Sequence, residues 1–427
     1  MKILHTADWH LGATLHELSL VPEQERFLAW LLDLIAADEV DLLLVAGDIY
    51  DQAHPSAEAQ RLYYDFFGRL EQRAPRCQAI VIAGNHDSAQ RLAAPQTLLR
   101  TRRVEVIAAV PPPGQRGALL IPAGPDPNHP AVIVAAVPYA RDQSLGFFSP
   151  GRTQQETHQA YTQGFRDLYA SLADEAAERW PGVPRIAMGH LTVQGQEAPA
   201  SDDWLQNIHV AARFPETIGN ISALPAATLF DERWDYVALG HIHRGYPVLG
   251  QRVWYSGTPV PVSVKEGMTP RMVRVLELQA TESDTTHTLL QRNVEVPRWR
   301  DIRRITGTRE EVMRALKALP LGTTLRPLYH LEVRVEDYDP GLPDALGQIV
   351  ADRWGASAEP PQLKVTQHRE TTLQDIGSGT AAEALRSLDE YTPDEVFQLM
   401  YQARHKAPAP AEVMEAFRLI VEEEAQS

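Results

Sequence analysis

Five short hydrophobic runs, rich in β-branched residues, recur along the first 245 positions, and each breaks off at a polar group. With the polar groups that end them they are KILHTAD (2–8), DLLLVAGD (41–48), AIVIAGNHD (79–87), RIAMGH (185–190) and DYVALGH (235–241). Continuous apolar runs of this length read as strands covered on both faces. Helical periodicity lies between the first three. The segment 22–37 carries Pro22 near its start, and 56–73 has Ser56 as its cap. A β-α-β-α-β opening predicts an α/β fold built in layers. Residues 111–130, rich in Pro and Gly, read as a loop between strands, and 152–180 as a long polar helix. Residues 195–215 are irregular and polar, either a surface loop or a flap near a site. YSGTPVPVSVKEG and MVRVLELQ read as closing strands.

The pattern then changes. RDIRRITGT, REEVMRALKAL, YHLEVRVED, LPDALGQIVADRW and PQLKVTQHR alternate strand and helix, which makes a small α+β unit with a boundary near 285. The last stretch reads as two amphipathic helices separated by Pro408 and Pro410. Val396, Phe397, Met400, Met414, Phe417 and Ile420 recur there at helical spacing. Such faces either pack on the nearest domain or dock a partner helix. The chain is expected to divide into 1–285, 286–372 and 373–427, and 427 residues suit two or three domains.

The polar groups that end the runs share one chemical theme. They are Asp8 and His10, then Asp48, Asn85, His190, and finally His241 with His243. The rim where strands end is where open α/β sheets bind ligands. Singly, each group has an ordinary reading: Gly-Asp after a strand is a common turn, and Gly-Asn-His-Asp suits a type I′ turn. Together they predict one metal site. No cysteine is among them, which excludes a thiolate zinc site. Imidazole and carboxylate suit Mn, Fe, Zn or Co better than a plain Mg or Ca cage. Seven ligands are too many for one ion with an open position and fit two divalent ions. His86 follows a ligand and lies near the metals without binding them. Asp87 either orients that imidazole or caps the next helix, the cap being the favoured reading. His5 reads as a supporting group in the first strand, and Asp51 as a neighbour of the ligands.

Composition adds constraints. Hydrophobic residues make up 44%, enough for a full core. The single cysteine, Cys77, excludes a disulfide framework and suits a reducing cytoplasm. The first polar motif begins at residue 5, so no signal peptide is expected, and no apolar run approaches a membrane span. A net charge of −16 is awkward for a chain that would bind nucleic acid, and it calls for local basic patches, a basic partner, or both. RWRDIRR supplies one candidate patch, with Arg298, Arg300, Arg303 and Arg304 as phosphate contacts; a solvated strand face is the alternative.

The ordered motifs D-x-H, G-D, G-N-H-D, G-H and G-H-x-H resemble the calcineurin-like metallophosphoesterase superfamily. HTADWHLG, VAGDIYDQAHPS, VIAGNHDS, ALGHIHR and YSGTP resemble its SbcD-type nuclease subunits more closely, over roughly residues 1–270. The resemblance implies two stacked sheets flanked by helices, a small α+β capping domain that contacts DNA, and a C-terminal helical arm. It implies a bridging Asp48, one ion held by Asp8, His10 and His243, and a second by Asn85, His190 and His241. His86 would stabilise the transition state or protonate the leaving oxygen. Where some relatives carry a second histidine this chain has Asp51, so no catalytic role carries over there. The implied ions are most simply Mn, with Mg, Fe, Zn or Co as alternatives. The implied partners are double-stranded DNA ends and hairpins, an SbcC-like coiled-coil ATPase of the ABC type, and a second copy of the chain in a heterotetramer.

Three function classes follow. The first is a two-metal DNA exonuclease and endonuclease gated by the ATPase. The second is a standalone phosphoesterase for a nucleotide or other small diester, which would share every ligand. The third is a scaffold protein, which the intact ligand set disfavours. Fold and metal centre alone do not choose between the first two. The HTADWHLG phrase, the α+β unit and the helical tail favour the nuclease.

Overall fold

A computed structural model describes residues 1–124, 126, 129–140, 154–195, 217–218, 221–280, 287–320, 325–335, 337–355, 359–369 and a few positions between 397 and 417. Of the irregular segment 195–215 all but residue 195, and most of the terminal helices, lie outside the described residues. Within that last stretch the rings of Phe397 and Phe417 stack with centroids 4.1 Å apart.

Two six-stranded sheets organise the molecule. The first runs, edge to edge, His287–Val296, Arg271–Ala280, Lys2–Thr6, Leu42–Ala46, Gln78–Ile82 and Val104–Ile107. Its last four strands are parallel, and Arg271–Ala280 joins them antiparallel. The second runs Tyr246–Leu249, Val253–Tyr255, Tyr236–Gly240, Arg185–His190, Val132–Ala136 and Leu120–Ala123.

Side chains alternate across the first sheet, as the two-residue strand repeat requires. Ile3, Leu42, Leu44, Ile80 and Ile82 face inward with Ile133, Ala135, Ala187 and Val237 of the second sheet in one core. Leu4, Leu43, Val45, Ala79 and Val81 face the helices Val21–Asp38 and Ala57–Arg73 in another. Helix Gln154–Arg179 covers the second sheet through Phe165, Leu168, Tyr169 and Leu172. The result is the layered α/β fold. Both faces of every central strand are buried, which is why those strands read as unbroken apolar runs.

Local signals hold closely. Ser56 Oγ accepts a hydrogen bond from Ala59 N at 3.1 Å, capping its helix. Residues 111–130 are not all loop: Leu120–Ala123 pairs antiparallel with Val132–Ala136 as an edge strand. Its proline, Pro122, is tolerable at an edge.

The α+β pattern also forms. Ile302–Thr308, Leu328–Val335 and Gln362–Arg369 make a three-stranded sheet, with helices Arg309–Ala318 and Leu342–Trp354 between them in sequence. By contact density one compact unit comprises Met1–Val333 and Pro340–Thr366, and a second comprises Arg334–Asp339 and Gln367–Ser427. Among the described residues no helix is long and apolar enough to cross a membrane.

One sequence expectation fails here. Arg300 is no surface phosphate contact. It is buried, and its guanidinium pairs with buried Glu23, Nη2 to Oε2 at 2.8 Å, while also donating to the Arg326 carbonyl. A buried arginine already neutralised by a carboxylate presents no exposed charge to a phosphate. Nor do the remaining three form one patch. Arg303 and Arg304 are consecutive in a strand and so face opposite sides; Arg303 pairs with Asp301 at 2.8 Å and Arg304 with Glu332 at 2.5 Å. Arg298 is exposed, and among the described residues it meets only the Thr269 carbonyl, at 3.4 Å.

Replacing Arg300 with Ala would strand the Glu23 carboxylate in the core. We expect a loss of about 3–5 kcal/mol in denaturant unfolding. An unchanged midpoint would mean that the pair is not buried in solution.

Candidate metal centre

All seven predicted ligands meet where the two sheets' strands end. Asp8 and His10 follow Lys2–Thr6, Asp48 follows Leu42–Ala46, and Asn85 follows Gln78–Ile82. His190 ends its strand, and His241 and His243 follow Tyr236–Gly240. The first sheet thus supplies four of them and the second three. Asp8, His10, Asp48 and His190 are fully buried, and Asn85, His241 and His243 are half-buried.

The chain bends sharply to bring them in. Asp8, His10, Asp48 and His241 all have positive φ, at 54°, 44°, 48° and 97°. Such backbone costs a non-glycine residue about 1–3 kcal/mol, and this strain concentrates at functional sites. Backbone bonds from Asp8 N to Gly47 O and from His10 N to Asp48 O, both 3.0 Å, hold the loops together. Two glycines are required by space. A Cβ on Gly47 would lie 2.1 Å from His190 Nδ1, and one on Gly84 would lie 2.1 Å from Asp48 Oδ1.

Two clusters of donor atoms flank Asp48. On one side His10 Nε2 and His243 Nε2 are 3.1 Å apart, with His10 Nε2 3.8 Å from Asp48 Oδ2. On the other, Asn85 Oδ1 is 3.0 Å from His190 Nε2 and 2.9 Å from His241 Nδ1, with His190 Nε2 3.3 Å from Asp48 Oδ2. Separations near 3 Å are what two ligand atoms show around one ion with metal–nitrogen bonds of about 2.1 Å.

Asp8 Oδ1 accepts from His241 N at 2.9 Å, and Asp8 Oδ2 is buried with no hydrogen-bond partner. A buried carboxylate oxygen without a donor is costly, and a cation would satisfy it. The residues therefore fit two divalent ions.

The imidazoles are set up for this. His190 Nδ1–H donates to the Ala46 carbonyl at 2.8 Å, and His243 Nδ1–H donates to Glu266 Oε1 at 3.2 Å, so in both rings Nε2 faces the cluster. An anchored second nitrogen fixes the tautomer of a metal-binding histidine. Burial alone would lower His190, but the charge and hydrogen bond of Asp48 outweigh it and raise it to about 9, so the ring holds a proton that a bound cation would have to displace. Burial would raise Asp48, but His190 holds it below the usual carboxylate range. Burial, aided by His190, lowers His241 to about 4 and keeps it neutral.

His86 is exposed beside these groups. Its backbone N–H donates to Asp48 Oδ1 at 2.9 Å, and its Nδ1–H donates to the Asp51 carbonyl at 2.7 Å, which leaves Nε2 unbonded by either. The Asp51 carboxylate lies 3.4 Å from His10 Nδ1.

Asp87 is not a helix cap. Its carboxylate accepts from Ile49 N, Tyr50 N and Gly84 N at 2.8–3.1 Å, tying the Asp48 loop to the Asn85 loop. Three backbone donors outweigh a helix end that carries no side-chain cap. Glu266 is the residue that sequence reading missed. It sits 23 positions beyond His243, and only the Ser263 cap of the short helix Val264–Gly267 hints at a fixed turn there.

Residues 1–245 match the family described as calcineurin-like phosphoesterase, and residues 298–405 match the Type 5 capsule protein repressor C-terminal domain, SbcD_C. The fold and site therefore define a calcineurin-like phosphoesterase. The chain is 36% identical over 342 residues to the SbcD subunit of the SbcCD nuclease from Rhodobacter capsulatus, covering 79% of this chain and 81% of the relative. It is 32% identical over 271 residues to the protein of the same name from Escherichia coli K12, covering 62% of each. Within the phosphoesterases, this chain belongs to the SbcD-type nuclease subunits. Among solved structures, a dimetal phosphatase from Danio rerio aligns over 69% of this chain and 98% of its own at 10% identity, with a TM-score of 0.31, too low to bear on the fold.

His5 is a supporting group. It is fully buried, accepting from the Tyr236 hydroxyl at 3.0 Å and donating to the Leu239 carbonyl at 3.2 Å, and burial together with Arg274 lowers it to about 3 from 6.5. Between those values the unfolded chain binds a proton that the folded chain refuses, so stability from this group is lost as pH falls below 6.5. His5→Phe should be less stable than the parent at pH 7. The gap should close by about 1.4 kcal/mol per pH unit below 6.5 in denaturant unfolding. Parallel stability curves would show that His5 is not held neutral.

Proposed function

We propose that this chain is a two-metal DNA nuclease subunit, most simply Mn-dependent. It would hydrolyse phosphodiester bonds at double-strand ends and hairpins, by exonuclease and endonuclease action, under the control of an SbcC-like ATPase. The observation that carries this reading is the Asp48 carboxylate between two donor clusters. That geometry supports Asp48 as the bridge, with His10 and His243 around one ion and Asn85, His190 and His241 around the other; the motif resemblance adds Asp8 to the first. When bound, the two cations would neutralise a phosphodiester and lower the pKa of an attacking water.

The chain's own residues do the rest. Asp48 Oδ1 holds the His86 backbone, and the Asp51 carbonyl holds its ring through Nδ1, so Nε2 is left free of both bonds beside the candidate ligands. From there it can give a proton to the departing oxygen or stabilise charge on the phosphoryl group. Neutral Asn85 binds a cation through its amide oxygen without adding negative charge, which eases the entry of an anionic strand. Arg298 is the best placed of the four arginines for a phosphate contact, with Arg303 and Arg304 available only by exchanging their carboxylate partners.

The names of the relatives support an SbcC-like partner and a DNA substrate. A homodimer within a heterotetramer, a cytoplasmic location, and the division into 1–285, 286–372 and 373–427 belong to the same proposal.

The decisive experiment is Mn²⁺-dependent cleavage of an end-labelled linear duplex and a hairpin, beside a small aryl phosphodiester. We expect both DNAs to be cut and Asp48→Ala to be inactive with less bound metal. His86→Gln should keep its metal and lose roughly 10²–10⁴-fold in turnover, the usual contribution of a positioned acid or base. Turnover confined to the aryl diester, with the ATPase present, would overturn the nuclease reading. Full activity of Asp48→Ala would overturn the two-metal assignment.

A further inference from the structure

The turn that carries Glu266 faces two ways. Every polar group of Glu266 on the metal side is engaged. Its Oε1 accepts from His243 Nδ1 at 3.2 Å, and its Oε2 accepts from Val262 N at 3.0 Å. Its backbone N–H donates to Ser263 Oγ at 3.2 Å. Its carbonyl accepts from Arg271 Nη2 at 2.7 Å and from Thr269 Oγ1 at 3.2 Å. Arg271 is itself buried, and its Nη1 reaches the His243 carbonyl at 2.6 Å. One guanidinium thus straps the loop bearing His243 to the turn bearing Glu266, while the Glu266 carboxylate holds the His243 ring.

The next residue faces the small α+β unit. Gly267 has no side chain, and Ile302, the first residue of Ile302–Thr308, lies directly on its backbone. A Cβ built on Gly267 would stand 2.6 Å from Ile302 Cγ2. Ile302 is buried there. Beside this contact is a shallow cleft of about 40 Å³ lined by Pro261, Thr269, Arg271, Trp299 and Ile302 among others. Ile302 touches no candidate ligand, yet two residues, Gly267 and Glu266, separate it from the ring of His243.

We propose that the 262–271 turn couples the small α+β unit to the metal centre, with Glu266 as the positioning residue for His243 and Ile302 as its remote support. This rests on the reading of His243 as a metal ligand. Groups that orient a metal-binding histidine typically contribute 10–100-fold in metal affinity. Support one contact further out should matter less, and for the same ion only.

The test is equilibrium Mn²⁺ binding by the full chain, followed by titration calorimetry and by elemental analysis of bound metal. His243→Ala should lose one of the two ions. Glu266→Gln should weaken that same ion about 10–100-fold, and Glu266→Asp should recover part of the loss. Ile302→Ala should weaken it several-fold and leave the other ion unchanged; Ile302→Val serves if the alanine variant does not fold. Leu316→Ala, a buried site in the helix Arg309–Ala318 of the same unit, should leave both ions bound as in the parent. If His243→Ala loses an ion while the Glu266 and Ile302 variants bind both normally, the coupling is wrong and the ligand reading stands. If His243→Ala keeps both ions at full affinity, the ligand reading falls and the proposal with it. Equal weakening in Leu316→Ala would trace the effect to general loosening and also overturn it.

Discussion

The Asp48 carboxylate is the point on which the centre depends. It is buried, it faces histidines from both sheets, and its other oxygen holds the backbone of His86. It can occupy that position because its neighbours in space have no side chains in the way. Gly47 lets His190 approach and Gly84 leaves room for the carboxylate itself. The motif G-D followed later by G-N-H-D is therefore a packing requirement as much as a list of ligands. The glycines decide whether the carboxylate and imidazole can converge.

Convergence comes with backbone strain. Four candidate ligands sit at positive φ without being glycine. The surrounding framework enforces this: buried parallel strands deliver the loops at fixed spacing, and backbone bonds between loops close them. Asp87 contributes by binding three backbone N–H groups from two loops. A site assembled from five strand ends of two sheets needs such ties, because no single loop is stiff enough to hold seven groups within coordination distance.

Beyond the centre, charge is handled by local pairing. The four arginines of RWRDIRR illustrate the point. As a sequence they look like a basic patch, but one is buried against Glu23 and two meet carboxylates on opposite faces of a strand. The buried Arg300–Glu23 pair instead joins the approach to the small sheet to the first helix, and Ile302 beside it rests on the turn that supports His243. The small unit is thus tied to the phosphoesterase framework at points close to the centre.

The sequence by itself determined the layered fold, the strand ends and the identity of the seven converging residues. A single polar group after a buried run is an ordinary turn residue, but ligand-type residues recurring after five such runs made a signal that was local and repeated. The α+β alternation after residue 300 was legible for the same reason, since strand and helix periods differ. Tertiary structure alone decided which donors cluster on each side of Asp48, because residues such as His10 and His243 are 233 positions apart and meet only through sheet stacking. It also decided that Arg300 turns inward, that Asp87 ties two loops rather than capping a helix, and that Glu266 anchors His243. Each of these depends on which partner happens to be near in space. A charged side chain takes the partner that costs least to reach from its buried position, and no pattern along the chain encodes that distance.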